Sequence, residues 1–250
     1  MAMHAVAGGS RESLALYRRL RDECRQLSPE EQFGPGRVLV SAGFRPHASG
    51  EDLARIPASG PVLAVADGVP CAIESLAAAD LLGRARTGVK VLAGNFLSKA
   101  PGVCAWFVPY ERRESRDRAR GNLRAAFAAL AHLRSGGLLA AFPSDARQRF
   151  ASAGEEPGWA AAVRLARLAG AAIVPVSLAC MQAPDFPGGM PCSLEMQVGA
   201  PLDPARLAAF ASDGEAGSYV RWRTTLLVRQ RETPVRLVPR IFPLTKVAGL

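Results

Sequence analysis

Asp67 closes the apolar run Pro61-Val62-Leu63-Ala64-Val65-Ala66, and Gly68 and Pro70 break that run directly after it. The pattern reads as a buried strand that turns into a helix, because the alternating small and apolar residues of Ser75 to Leu82 follow. In open α/β sheets, ligands and reacting groups gather outside the carboxyl ends of the strands, so a carboxylate at this junction is a site candidate. Arginine is the second chemical resource. The chain carries a formal net charge of +9, yet its only lysines are Lys90, Lys99 and Lys246. A guanidinium grips phosphate or carboxylate in a planar, two-pronged way that an ammonium cannot, and a basic surface attracts anionic lipid, anionic small molecules or nucleic acid.

The elements that must hold these residues can be read in order. Leu14, Tyr17, Leu20 and Cys24 recur at helical spacing, which predicts an amphipathic helix over 11–27, within an N-terminal helical segment of about 10–35. Arg37-Val38-Leu39-Val40 reads as a strand. After the helix from Ser75 to Arg84, Val89–Ala93 is a second buried strand, and Trp106-Phe107-Val108-Pro109 a third, ended by its proline. The arginine-rich run 111–120 opens a helix reaching about Leu133, and Ser135-Gly136-Gly137 stops it. Leu138–Pro143 is a fourth strand, leading into the loop Ser144-Asp145-Ala146-Arg147. A helix from Gly158 to Leu168 stops at Gly170, and Ala172–Leu178 is a fifth strand.

Strands and helices that alternate in this way predict an α/β fold: a mixed, largely parallel sheet flanked by helices. At 250 residues and 49% hydrophobic content, one domain spanning 1–250 is expected, with its core over 50–201. From Tyr219 to 250, arginines interleave with Trp222, Leu226, Leu227, Ile241 and Phe242, which suits either a membrane headgroup layer or a surface helix packed on the core. Five cysteines without a CxxC pair read as reduced thiols in apolar positions, and no metal site is expected. The opening residues lack a secretory pattern, so a cytoplasmic protein is expected. Nucleic-acid binding ranks low, because neither a recognisable module nor an aromatic stacking platform accompanies the arginines.

Five segments, in order and spacing, resemble the glycerolipid (lysophospholipid) acyltransferases, and in particular the bacterial hemolysin-like branch associated with ornithine-lipid synthesis. Ile56–Ala66 is similar to the lead-in of the family's first motif, and Val89–Ala93 to the strand of its second block. Val108-Pro109-Tyr110-Glu111-Arg112 resembles the third motif. Phe142-Pro143-Ser144-Asp145-Ala146-Arg147 stands where the family carries Phe-Pro-Glu-Gly-Thr-Arg, and Ile173-Val174-Pro175-Val176 is similar to the fourth motif. The resemblance implies a glycerol-3-phosphate acyltransferase-like fold and acyl transfer from acyl-CoA or acyl carrier protein, with no other cofactor. The implied acceptor is a lyso-lipid or another anionic small molecule. Arg112 and Arg147, with Pro143 and Ser144, would contact the acceptor's anionic group.

The departure falls at the first motif. There the family uses a histidine to take the acceptor's proton and an acid shortly after to orient it. Those positions fall on Gly68 and Glu74, with Asp67 adjacent. Glycine has no titratable group, and positioned general-base catalysis is worth about 10²–10⁴ in rate. A carboxylate with an ordinary pKa of about 4 is a poor substitute at neutral pH. The histidines are His4, His47 and His132, and a Ser144–His132–acid triad has no nucleophile-elbow sequence to support it. Two readings follow. The first is an acyltransferase of phospholipid metabolism with a divergent, His-less site, working on a hydroxyl or amine acceptor at the inner face of the cytoplasmic membrane. The second is a catalytically silent homologue that binds acyl chains, acyl carrier protein or a partner enzyme at an anionic membrane surface.

Overall fold

The computed structural model describes residues 20, 22, 23, 34–67, 72–94, 103–110, 118–143, 157–182 and 192–232. Its strands are β1 (Phe44–Ala48), β2 (Val62–Ala66), β3 (Val89–Gly94), β4 (Phe107–Tyr110), β5 (Leu138–Ala141), β6 (Ala172–Gln182) and β7 (Cys192–Val198). They form one sheet in the order β1-β7-β6-β2-β5-β3-β4. The run β6-β2-β5-β3-β4 is parallel throughout, β7 returns antiparallel to β6, and β1 lies parallel to β7. This is the mixed, largely parallel sheet the sequence predicts.

The helices are α1 (Gly34–Ser41), α2 (Gly50–Ala54), α3 (Ala72–Ala85), α4 (Arg118–Arg134), α5 (Pro157–Ala169), α6 (Pro204–Ala208) and α7 (Asp213–Glu232). All five residues of β2 are buried, as both faces of a parallel sheet must be when helices cover them. Val62, Ala64 and Ala66 meet Leu39 of α1 and Leu76 and Leu81 of α3 in one core. Leu63 and Val65 meet Ala129 and Leu133 of α4, Trp159 and Val163 of α5 and Val220 of α7 in the other. Two helices end alike and hand the chain straight to the next strand. Gly136 (φ 83°) donates to Leu133 O and Gly137 to His132 O, while Gly170 (φ 63°) donates to Arg167 O and Ala171 to Ala166 O. Both are Schellman-type closures, which need a left-handed residue that glycine adopts without strain.

Several sequence expectations are corrected. Arg37–Val40 is helical, inside α1, not a strand: Val38 and Leu39 are buried while Val40 is 61% exposed, a one-sided burial that suits a helix lying on α3. Four apolar residues carry too little periodicity to separate the two states. Pro109 does not end its strand but pairs with Ala93, and β4 runs on to Tyr110. That is tolerated because β4 is an outermost strand, where a missing amide donor breaks no ladder on its open side. Cys104 is exposed, not in an apolar position. Of the predicted 11–27 helix, only Leu20, Asp22 and Glu23 are described; they are helical, and Leu20 is buried. Residues 219–232 fall in α7, where Val220 and Thr224 are buried, so this part is a helix packed on the core. Residues 233–250 lie outside the described residues.

Two close approaches show how tightly the helices are set. Asp80 of α3 is 3% exposed, hydrogen bonds to Arg84 Nη2 at 2.6 Å, and lies so near Gly36 of α1 that a Cβ there would fall 2.7 Å from its Cγ. Burial pushes the Asp80 carboxyl above its ordinary value, with the Arg84 charge and hydrogen bond pulling the other way. A raised pKa means that the group's contribution to stability is greatest below pH 3.8 and is lost as pH rises through the folded value. The stability difference between wild type and Asp80→Asn should therefore fall as pH rises above about 4 and then level off, measured by denaturant unfolding at a series of pH values. At the other contact, a Cβ on Gly217 of α7 would lie 2.9 Å from both Ala160 N and Trp159 C of α5. Backbone cannot yield as a side chain does. Gly217→Ala should lower stability by about 1–3 kcal/mol, while Gly50→Ala, with nothing within 4 Å, should leave the unfolding midpoint nearly unchanged.

Candidate functional site

The sheet register aligns the strands that carry the sequence's candidates. Ala64 pairs with both Ala140 and Val174, Ala140 with Val91, and Val91 with Phe107. Counting three residues on leads to Ser177 within β6, to Asp67 one residue past the end of β2, to Pro143 two residues past the end of β5, and to Gly94 and Tyr110, which are themselves a pair of β3 and β4. Apart from Ser177, this row lies at or just past the carboxyl ends of its strands, where a parallel α/β sheet presents its ligands. Asp67 is half-buried, Pro143 and Ser177 are buried, and Glu74 sits in the first turn of α3 on the same side of the sheet's edge.

Asp67 thus follows β2 directly, Pro143 lies two residues past β5, and Glu74 is in the first turn of α3. Gly68, Arg112, Ser144 and Arg147 lie outside the described residues. The helices that follow β2 and β4, α3 and α4, start from this edge, so their positive amino ends favour an anion there. Among the described residues, no group of three or more His, Cys, Asp or Glu side chains stands in position to hold a metal ion.

Neither described histidine reaches this row. His132 Nε2 is 3.1 Å from Leu138 O, and its ring lies so close to Gly137 that a Cβ there would fall 2.5 Å from Cε1 and Nε2. Leu138 opens β5, so His132 works at the amino end of the strand whose carboxyl end leads to Pro143. His47 is exposed on β1. Between β1 and β2 lie β7 and β6, a lateral gap of about 14 Å at normal strand spacing. The paper triad of Ser144 and His132 therefore has its imidazole committed elsewhere.

A feature the sequence reading passed over lies beside the row. Val108, Pro109 and Tyr110 of β4 and Gly121, Arg124, Ala125 and Ala128 of α4 line an open pocket of about 290 Å³. Its walls are apolar apart from Tyr110 and Arg124. The signal was present as the small residues Gly121, Ala125 and Ala128 at helical spacing opposite an outermost strand, but only the pairing of β4 at the sheet's edge leaves that face uncovered.

No family model matches the chain, and no curated protein matches it significantly. Among solved structures, the chain is similar to the 1-acyl-sn-glycerophosphate (LPA) acyltransferase PlsC from Thermotoga maritima. The likeness has 16% identity and a TM-score of 0.47, over 92% of this chain and 87% of that one.

His132→Gln should lower the unfolding midpoint by the equivalent of about 1 kcal/mol, the value of one hydrogen bond, and should leave any thioester turnover of the folded protein unchanged. Turnover lost at full stability would make His132 a base after all.

Proposed function

We propose that this chain is an acyl-transfer protein of lipid metabolism, moving an acyl group from acyl-CoA or acyl carrier protein to a lyso-lipid or related hydroxyl or amine acceptor. The single observation that carries the reading is the row at the carboxyl edge. Asp67, Tyr110 and Pro143 come from three of the segments that resemble acyltransferase motifs, far apart in sequence, and each lies at or just past the carboxyl end of a strand of the parallel run β2-β5-β3-β4. Gly68, Arg112, Ser144 and Arg147 follow them closely in the chain.

In this reading the acceptor attacks the thioester carbonyl, a carbon–nitrogen or carbon–oxygen bond forms, the carbon–sulfur bond breaks and the thiolate leaves with one proton from the acceptor. A neutral amine attacks without prior deprotonation, so it suits a site whose family histidine is replaced by Gly68. Asp67 and Glu74 then relay that one proton from the adduct to the departing thiolate. Arg112 and Arg147 hold the acceptor's anionic group, since guanidinium and phosphate or carboxylate match in a bidentate geometry. The extra charge of Asp145, where the family has glycine, disfavours a phosphate dianion and favours a less charged acceptor. The protein works peripherally, at the inner face of the cytoplasmic membrane, where both substrates are available.

The test is thiol release by the purified chain from acyl-CoA and from acyl carrier protein, against a panel of lyso-lipids and long-chain amines. Acceptor-dependent release is expected, reduced at least tenfold in Asp67→Asn and in Arg147→Ala. Gly68→His alone should not create lysophosphatidate acyltransferase activity, because the 144–145 loop also departs from the family. If no acceptor supports release above background while acyl chains still bind, the protein is the silent homologue and the enzymatic reading falls.

A further inference from the structure

The outer face of α4 is unusual for a helix of a folded domain. Its exposed positions are Arg120, Leu123, Arg124, Ala126, Phe127, Ala128, Ala131 and Arg134. Leu123 is 58% exposed and Phe127 63%, one helical turn apart, so the two side chains form a continuous apolar stripe. Arg134 donates through Nε and Nη2 to Leu168 O of α5, at 3.3 and 3.0 Å. That bond ties the backbone of Leu168, whose side chain is itself 55% exposed, to the carboxyl end of α4. Leu123, Phe127 and Leu168 are thus large hydrophobic side chains left in water on two neighbouring helices.

Along α4 itself the charge has one sign. Over Arg118–Arg134, α4 contains four further basic residues, Arg120, Arg124, His132 and Arg134 with Arg118 at its start, and no Asp or Glu. The segment Pro157–Ala169 of α5 holds no Asp or Glu either. The pocket between β4 and α4 opens onto this face, because Arg124 and Ala128 belong both to its lining and to the exposed surface. Its other walls, Val108, Pro109 and Ala125, are apolar.

We propose that the outer face of α4, with the adjoining end of α5, is the surface by which the protein docks on an anionic bilayer. Leu123, Phe127 and Leu168 enter the headgroup–acyl boundary, and Arg120 and Arg124 meet lipid phosphates. Charge complementarity selects this occupant: along α4 the apolar stripe is flanked by basic side chains with no Asp or Glu in the helix, which matches anionic headgroups over hydrocarbon, and the long arginine stems reach the phosphates while the stripe is immersed. The open pocket beside Arg124 then faces the lipid, giving a chain of one lipid molecule an apolar lodging next to a phosphate-binding guanidinium. The inference takes from the proposed function only the membrane as partner. It stands whether or not the chain transfers acyl groups.

Flotation of the full-length protein with vesicles of phosphatidylcholine, with and without phosphatidylglycerol, tests it. Wild type should bind the phosphatidylglycerol vesicles and lose that binding as salt rises. The double variant Leu123→Gln/Phe127→Gln should bind about tenfold less at unchanged unfolding midpoint, since both side chains are exposed. Arg120→Gln/Arg124→Gln should flatten the salt dependence, and Trp222→Ala, on α7, should change binding less than either. Equal vesicle binding by wild type and Leu123→Gln/Phe127→Gln overturns the proposal. So does a solution dimer of the wild type that the same substitutions dissociate, which would make the occupant a second copy of the chain. Thiol release measured with detergent-dispersed substrates reads the acyl-transfer proposal separately from the docking surface.

Discussion

Arg86 is the tie from which the geometry of the sheet follows. Its Nη1 donates to Pro57 O and Gly60 O at 3.0 Å each, and its Nη2 to Gly136 O at 2.5 Å. One guanidinium thereby fastens the entry to β2 to the entry to β5. Around it, Val62 N donates to Gly137 O, Leu138 N to Gly88 O and Ala172 N to Pro61 O, so the amino ends of four parallel strands are locked to one another. Burial lowers the pKa of Arg86 from its ordinary value, but a guanidinium stays charged far above neutrality. Because strands are stiff and paired, a register set at this end is transmitted along each strand to the other. The pairing of Gly94 with Tyr110, and the level at which β2 and β5 hand the chain on to Asp67 and Pro143, lie at the far end from a clamp that touches none of them.

The same bonds change the meaning of the basic composition. Arg55 donates to Val198 O, Arg134 to Leu168 O, and Arg167 to Leu207 O and Phe210 O while pairing with Asp213. These guanidiniums satisfy backbone carbonyls at the ends of strands and helices, which otherwise require water. A sequence-level net charge counts them as if they faced a partner. Their donors are taken up inside the fold, whereas Arg120 and Arg124 of α4 are exposed beside the apolar side chains of Leu123 and Phe127.

How far the sequence could be read followed the strength of the local signals. The buried runs of β2 and β5 were legible because unbroken apolar stretches bounded by glycine have few other uses in a parallel sheet, while β3, interrupted by Lys90, is buried only at alternate positions. The helix ends at Gly136 and Gly170 were legible for the same local reason. The antiparallel strand β7 was missed even though Ser193, Glu195 and Gln197 alternate with the buried Leu194, Met196 and Val198, a period that was open to view. Strand β1 was hidden by Pro46 and its exposed Arg45 and His47. The candidate site was legible as a list of residues but not as a place. Residue types suggested Asp67 and Pro143 separately, and only the pairing of β2 with β5 over a long sequence distance, which no local pattern encodes, brings together the strands that lead to them.

Pro46 in β1 and Pro109 in β4 occupy the two outermost strands of the sheet. An open sheet edge is a template on which another chain can crystallise as an added strand, and a missing amide donor spoils that template. With both flanks blunted, a crowd of these molecules has no ready route to stack strand upon strand into fibres. Among the described residues, association is thereby turned towards helices and side chains, which leaves concentration on a crowded surface compatible with remaining individually folded.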